Sequence, residues 1–174
     1  FLFNSLDGST KKIISPDKKI NEILSKEIWD ICMDNSDNLW IATNQDGLLC
    51  YNVVTRKAYQ YINNKNDQQS IRSNNIRSVY IDKQGILWIG SQYSGVSFTY
   101  LYNPKKFVSY DSYLNSAGTN SEYSITSILK DDQNNLWIGS DGNGLYYISN
   151  QRTEVKKFTF ESGNTISNNA VLAI

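Results

Sequence analysis

Three segments of the chain share one order of apolar and polar positions. In each, a stretch rich in β-branched residues is followed by a short polar turn and then by three adjacent apolar residues. These apolar runs are Leu39-Trp40-Ile41, Leu87-Trp88-Ile89 and Leu136-Trp137-Ile138. A short strand without alternation has both faces covered, as where sheets pack face to face. The units are dense in Asn, Ser and Gly and lack a sustained i, i+3, i+4 apolar stripe, so the pattern predicts an all-β chain.

The three segments form a repeat whose Trp residues are 48 and 49 positions apart. Counted from each Trp, an Ile stands twelve residues before, an Asp six before and a Gly seven after. Three residues before each Trp stands Asp37, Gly85 or Asn134, residue types that tolerate positive φ in a tight turn. Each unit is expected to form four strands, which in the first unit are Ile28 to Met33, Leu39 to Thr43, Gly47 to Asn52 and Ala58 to Ile62.

Four-stranded units of this length are typical of β-propeller blades, which bury their faces only by stacking. The sequence therefore predicts a β-propeller fragment of about three complete blades with partial blades at both ends. The predicted divisions are residues 1–27 (tail of a preceding blade), 28–75, 76–124 and 125–166 (blades), and 167–174 (first strand of a next blade, where Ser167-Asn168-Asn169 echoes Ser73-Asn74-Asn75). Since such ends expose apolar faces, we expect self-association or packing against further blades of a parent chain.

The second unit carries the repeat motif in its fullest form, Asp82-Lys83-Gln84-Gly85-Ile86-Leu87-Trp88-Ile89-Gly90-Ser91. This motif and the lead-in Ser73-Asn74-Asn75-Ile76 resemble the two-component regulator propeller repeat. The resemblance implies part of the periplasmic sensor region of a hybrid two-component regulator. Such a parent is an inner-membrane histidine kinase that acts in a signal-transduction phosphorelay. The first unit departs from the family pattern where Ala42 replaces a Gly.

Other propeller classes fit the repeat less well. A WD40 blade would place a Trp-Asp pair at the end of its third strand, whereas the repeated Trp stands in the second strand and precedes an Ile. Kelch repeats need a Gly-Gly pair, which the sequence lacks. Sialidase propellers need an Arg cluster, and the four Arg residues of this chain are scattered.

Composition narrows the possible functions. Lys and Arg total 17 and so do Asp and Glu, and a formal net charge of zero argues against nucleic acid as a partner. The chain contains no His, the commonest general base and metal ligand. Two cysteines, Cys32 and Cys50, are too few for a disulfide framework or a zinc site. We therefore expect a fragment that is not an enzyme, uses no cofactor or metal, and meets a membrane only through its parent chain.

One aromatic residue, Trp29, is not explained by the repeat. Its counterparts are Arg77, Thr126 and Leu172, and it lies on the strand that lines the central channel of a propeller. Trp29 is therefore a candidate ligand platform, with channel filling as the alternative. The three repeated Trp residues are expected to be core between the blades.

The loops between the second and third strands vary while their flanks stay fixed. Loops from the fourth strand to the next blade lie on the same face. The candidate ligand-binding residues there are Gln45, Asp46, Gln92, Tyr93, Asp141 and Asn143, together with Glu122 and Tyr123. Amide, carboxylate and phenol groups suit a hydroxyl-rich ligand, although ordinary solvated loops have the same composition.

The combined features predict a ligand-sensing propeller module. Its ligand would be a glycan oligosaccharide or another small polar molecule, and its signal would pass to a kinase outside this fragment. The alternative is a scaffold propeller that binds another protein and has no small-molecule ligand.

Overall fold

A computed structural model describes residues 2–3, 7–104, 106–110, 124–151, 153–161 and 166–174. Three four-stranded antiparallel sheets dominate it, and in each sheet neighbouring strands follow one another in the sequence. The first sheet contains β3 (Ile28–Met33), β4 (Asn38–Thr43), β5 (Leu48–Asn52) and β6 (Ala58–Tyr61). The second contains β7 (Ile76–Ile81), β8 (Ile86–Ser91), β9 (Val96–Tyr100) and β10 (Val108–Ser109). The third contains β11 (Ile125–Lys130), β12 (Leu136–Ser140), β13 (Gly144–Ile148) and β14 (Val155–Phe158).

The sheets stack as blades of a β-propeller, which confirms the predicted fold class. Their first strands contact one another, β3 beside β7 and β7 beside β11, and so form a common inner edge. In the second strand, the repeated Trp points toward the following sheet and its two apolar neighbours point toward the preceding one. Trp40 thus packs in one core with Leu87 and Ile89, and Trp88 packs in the next core with Leu136 and Ile138.

Each repeat contains one hydrogen-bonded device that joins the turn to the Trp. The Oδ2 atoms of Asp34, Asp82 and Asp131 accept the indole N–H of Trp40, Trp88 and Trp137, each at 3.0 Å. The Oδ1 atom of the same carboxylate accepts two backbone amides of the turn, two and four residues later. We call this arrangement the Asp–Trp clasp. It explains why an Asp stands six residues before every Trp.

The turns within the clasps have the predicted backbone. Asp37, Gly85 and Asn134 have φ of 61°, 73° and 65°. The small residue of strand β8 also has a structural reason, because a Cβ on Gly90 would meet Ile125 of the next blade at 2.5 Å. Glycine at this position therefore allows neighbouring blades to approach closely.

Acid is expected to destabilise all three blades together. Burial by itself would raise the pKa of Asp34, Asp82 and Asp131, but the hydrogen bonds from indole and amide groups outweigh it and lower each pKa. Since an unfolded Asp has a pKa of about 3.9, the stabilisation is complete above about pH 4 and is lost as the pH falls through the lower native values. Unfolding in urea, followed between about pH 7 and pH 2.5, should show this loss. A flat profile below about pH 4 would contradict it.

The described part of residues 1–27 contains a pair of short strands and a helix. Strand β1 (Leu2–Phe3) pairs with β2 (Thr10–Lys11) in the register that β5 and β6 show 48 positions later. Helix α1 (Lys18–Leu24) follows, capped by Asp17, whose side chain accepts the amide of Lys19. Its Ile20 and Ile23 are buried against the outer face of the first sheet. The repeat pattern does not indicate this helix, because seven residues are too few to display a sustained apolar stripe.

Residues 167–174 form no strand in this structure, because no described segment pairs with them in a ladder. Their lead-in matches that of the second blade, but one residue later than the sequence echo suggests. Asn169 Oδ1 accepts the amide of Phe160 and its carbonyl accepts the amide of Gly144. Asn74 makes the same two contacts. The predicted match of Asn168 with Asn74 is therefore wrong by one position. Asn169 is the residue equivalent to Asn74, because both make the same two hydrogen bonds.

Candidate functional site

A β-bulge occurs at the same place in the first strand of every blade. The pairing of first and second strands shifts register between Ile28 and Asp30, between Ile76 and Ser78, and between Ile125 and Ser127. The bulged residues are therefore Trp29, Arg77 and Thr126. A bulged residue makes no regular ladder pair, so the side chain can be redirected without loss of the sheet. The inner edge thus presents one variable residue per blade.

Two of these bulged residues meet across the boundary between blades. The guanidinium carbon of Arg77 lies 3.8 Å from the centre of the Trp29 ring. Trp29 nevertheless remains 40% exposed. Sequence reasoning selected Trp29 but not Arg77, whose only signal was its matching position in the repeat. The third bulged residue, Thr126, donates its hydroxyl to the carbonyl oxygen of Val171.

The rest of strand β3 extends this accessible surface. Ile28, Ile31 and Met33 are 39%, 55% and 51% exposed on the first blade. Asp30 lies among them, with Oδ2 accepting the amide of Val79 in the second blade at 2.9 Å. The inner edge of the first blade therefore combines apolar surface with a polar tie to its neighbour.

The predicted loop residues of the first blade have different roles. Gln45 is exposed and has φ of 74°. Asp46 is held by an ion pair with Lys26 at 2.9 Å, and its carbonyl accepts the side-chain amide of Gln60. The structure thus ties Asp46 to neighbouring residues, whereas Gln45 faces solvent.

The corresponding loops of the other blades also contact neighbouring segments. Tyr93 is 56% exposed with φ of 61°, and the Gln92 amide donates to the carbonyl of Asn75 at 2.9 Å. Asp141 is exposed and Asn143 half-buried. Glu122 and Tyr123 lie outside the described residues. The described backbone contacts tie each loop to the segment beside it.

A groove of about 600 Å³ lies on the opposite side, between the clasp turns of the first two blades. Sequence reasoning did not select it. Its lining includes Met33, Asn35, Lys83 and Tyr102. Tyr102 is 85% exposed and its ring lies 5.4 Å from that of Tyr100.

The cysteines offer no reactive thiolate. Both are free. Burial raises the pKa of Cys32 to about 12, helped by Asp30 and Asp34, and burial likewise raises the pKa of Cys50 to about 12. Within the described residues, no group of three or more acidic or Cys side chains could hold a metal ion.

Comparison with known proteins assigns the repeat. The family model described as two component regulator propeller matches residues 22–45, 70–93 and 120–142, once in each blade. The matched segment of each blade is a two component regulator propeller repeat. Each matched segment contains the Asp and the Trp of the Asp–Trp clasp. Each also contains the first strand of its blade, which carries the bulge.

Two relatives of this propeller belong to signalling proteins. The extracellular domain of a putative hybrid two component system from B. thetaiotaomicron has a TM-score of 0.67 and 25% identity, over 79% of this chain and 19% of that one. A histidine kinase, P4, from Formosa agariphila is 27% identical over 111 residues, which are 60% of this chain and 8% of that protein. The chain thus spans less than a fifth of the length of each.

More distant structures share the fold alone. Virginiamycin B lyase from Staphylococcus aureus has a TM-score of 0.56 at 12% identity, over 79% of this chain and 42% of that one. Among the described residues of the propeller, no helix is long and apolar enough to cross a membrane.

Proposed function

We propose that this propeller is part of the ligand-sensing region of a hybrid two-component system. It would lie on the periplasmic side of the inner membrane, and the histidine kinase would lie elsewhere in the parent chain. One observation carries the proposal. Residues that hold the blades together recur in every repeat, whereas the bulged residue of the inner edge differs in each blade. The two signalling relatives support the assignment to a sensor.

The proposed ligand is a glycan oligosaccharide. Trp29 offers an accessible aromatic plane, on which the apolar face of a sugar ring can stack. Exposed Gln45 and Asp141 supply amide and carboxylate groups at the loops beyond the inner edge. A ligand that contacts Trp29 and the neighbouring blade would bias how those blades sit together, and that bias would pass to the kinase.

Removing the Trp29 ring is expected to weaken glycan binding at least tenfold. Stacking of a sugar ring requires the face of the indole, which the substitution removes. A tenfold change in the dissociation constant corresponds to about 1.4 kcal/mol. Isothermal titration calorimetry of a neutral and acidic oligosaccharide panel, with the wild type and Trp29→Ala, makes the measurement. Tyr59→Ala is the matched control, because Tyr59 is a 62% exposed aromatic residue on the outer strand β6.

The panel also separates the two candidate functions. Equal glycan affinity for wild type and Trp29→Ala would remove Trp29 from the site. The observation that supports the alternative, a protein-binding scaffold, is the groove beside Tyr102. Exposed Tyr and Met residues are common at protein interfaces. Absence of glycan binding, together with protein binding that Tyr102→Ala weakens, would support the scaffold.

A further inference from the structure

Arg77 is a charged residue in a place where the fold does not require charge. The equivalent positions hold Trp29 and Thr126, and all three blades form the same sheet around them. Arg77 stands on β7, the inner strand that contacts both β3 and β11. A ligand at the inner edge would therefore meet this guanidinium between two neighbouring blades.

The hydrogen-bonding capacity of Arg77 is only partly used. A guanidinium carries five N–H donors in a planar fork, and the Nε of Arg77 is buried with no hydrogen-bond partner among the described residues. The carboxylate of Asp30, next to Trp29 in the sequence, is occupied by the amides of Val79 and Ile31. Among the described residues, no carboxylate forms a salt bridge with the Arg77 guanidinium.

An unmatched acceptor lies close to Arg77 in the sequence. The side-chain oxygen of Asn75, which directly precedes the same inner strand, is buried without a donor and is therefore out of reach of a ligand. Its backbone carbonyl accepts the amide of Gln92, which places Asn75 beside a predicted ligand loop. Asn75 therefore joins the start of this strand to that loop.

Trp29 and Arg77 together match one class of sugar. The Trp29 indole suits the apolar face of a pyranose ring, and Arg77 is pre-oriented by stacking on that indole at 3.8 Å. Its fork suits an oxyanion. We propose that the inner edge between the first two blades recognises an acidic saccharide whose carboxylate or sulfate group pairs with Arg77. This inference rests on the proposed sensor function and adds the charge of its ligand.

Calorimetry with trisaccharides of equal length and different charge tests the inference. The probes are a galacturonic acid trisaccharide, the neutral galactose trisaccharide and a sulfated galactose trisaccharide. We expect the wild-type protein to bind an acidic trisaccharide at least tenfold more tightly than the neutral one. Arg77→Thr should remove this preference, since Thr is the residue at the same bulge in the third blade. Arg77→Lys keeps the charge but not the planar fork, so it should keep only part of the preference.

Controls separate this inference from the proposed function. Arg56→Gln removes an exposed arginine outside the inner edge and should leave the preference unchanged. Circular dichroism of each variant shows that its sheets are intact. Preference for the uronate alone, or for the sulfated sugar alone, supports the inference and identifies the anionic group. Equal binding of neutral and acidic sugars would overturn the inference and leave the sensor function standing. Absence of binding to every sugar would overturn both.

Discussion

Replacing Trp88 with alanine is expected to reduce the free energy of unfolding by about 3–5 kcal/mol, the usual cost of removing a large buried aromatic residue. Trp88 is 4% exposed and lies between the second and third blades. Its ring packs 5.3 Å from Phe98 and 5.4 Å from Tyr110, and its N–H is bound by Asp82. The substitution would leave a cavity between blades and a buried carboxylate without one of its donors. Urea unfolding followed by circular dichroism gives the difference.

Trp137→Ala is the matched control for this prediction. Trp137 has the same position in the third repeat and the same hydrogen bond, from its indole to Asp131. It is only partly buried, because the described residues include no fourth sheet against its outer side. We expect a smaller loss than for Trp88. Equal losses would show that stacking between blades is not the main contribution of the repeated Trp.

Replacing Asp82 with alanine is expected to cost about 3–5 kcal/mol, the range seen when one partner of a buried ion pair is removed. Asp82 is 4% exposed and accepts the indole of Trp88, two turn amides and the ammonium of Lys130 at 3.0 Å. Lys130 belongs to the third blade and is itself mostly buried, with 15% of its side chain accessible. Without Asp82, the clasp opens and the lysine charge loses its counterion.

Two comparisons isolate the contribution of the ion pair. Asp131→Ala opens the equivalent clasp, whose described partners are the Trp137 indole and turn groups, with no lysine. It should cost less than Asp82→Ala. Lys130→Met introduces the residue that stands at the same position in the first blade, Met33. Combining it with Asp82→Ala should give a loss smaller than the sum of the two single changes, and additive losses would contradict the coupling.

Much of the fold is predictable because it is repeated. Comparison of the three repeat units predicts where the strands lie. The turn residues Asp37, Gly85 and Asn134 have the positive φ that their residue types indicate. The Asp–Trp clasp was not predicted, although the constant spacing of six residues is its signal. A spacing gives no direction for the side chains, and the hydrogen bond exists only because the tight turn brings Asp back beside the indole.

The candidate site is less predictable because it depends on contacts between strands. Sequence reasoning selected Trp29 as an aromatic residue outside the repeat, and the structure adds its stacking with Arg77. The bulge that presents both residues is a property of register, which requires knowledge of the partner strand. Among the loop residues, Asp46 is paired with Lys26 across 20 positions of sequence, a contact that composition alone does not reveal.

The bulges have a consequence for how such a sensor can change. A bulged residue makes no regular ladder pair, so replacing it leaves the cross-strand bonds of its blade unchanged. The positions of Trp29, Arg77 and Thr126 can therefore vary without loss of a ladder pair, while the clasps keep every blade intact. The residues that stabilise the blades are therefore different from the residues that face the inner edge. A substitution at the inner edge needs no second substitution to restore stability.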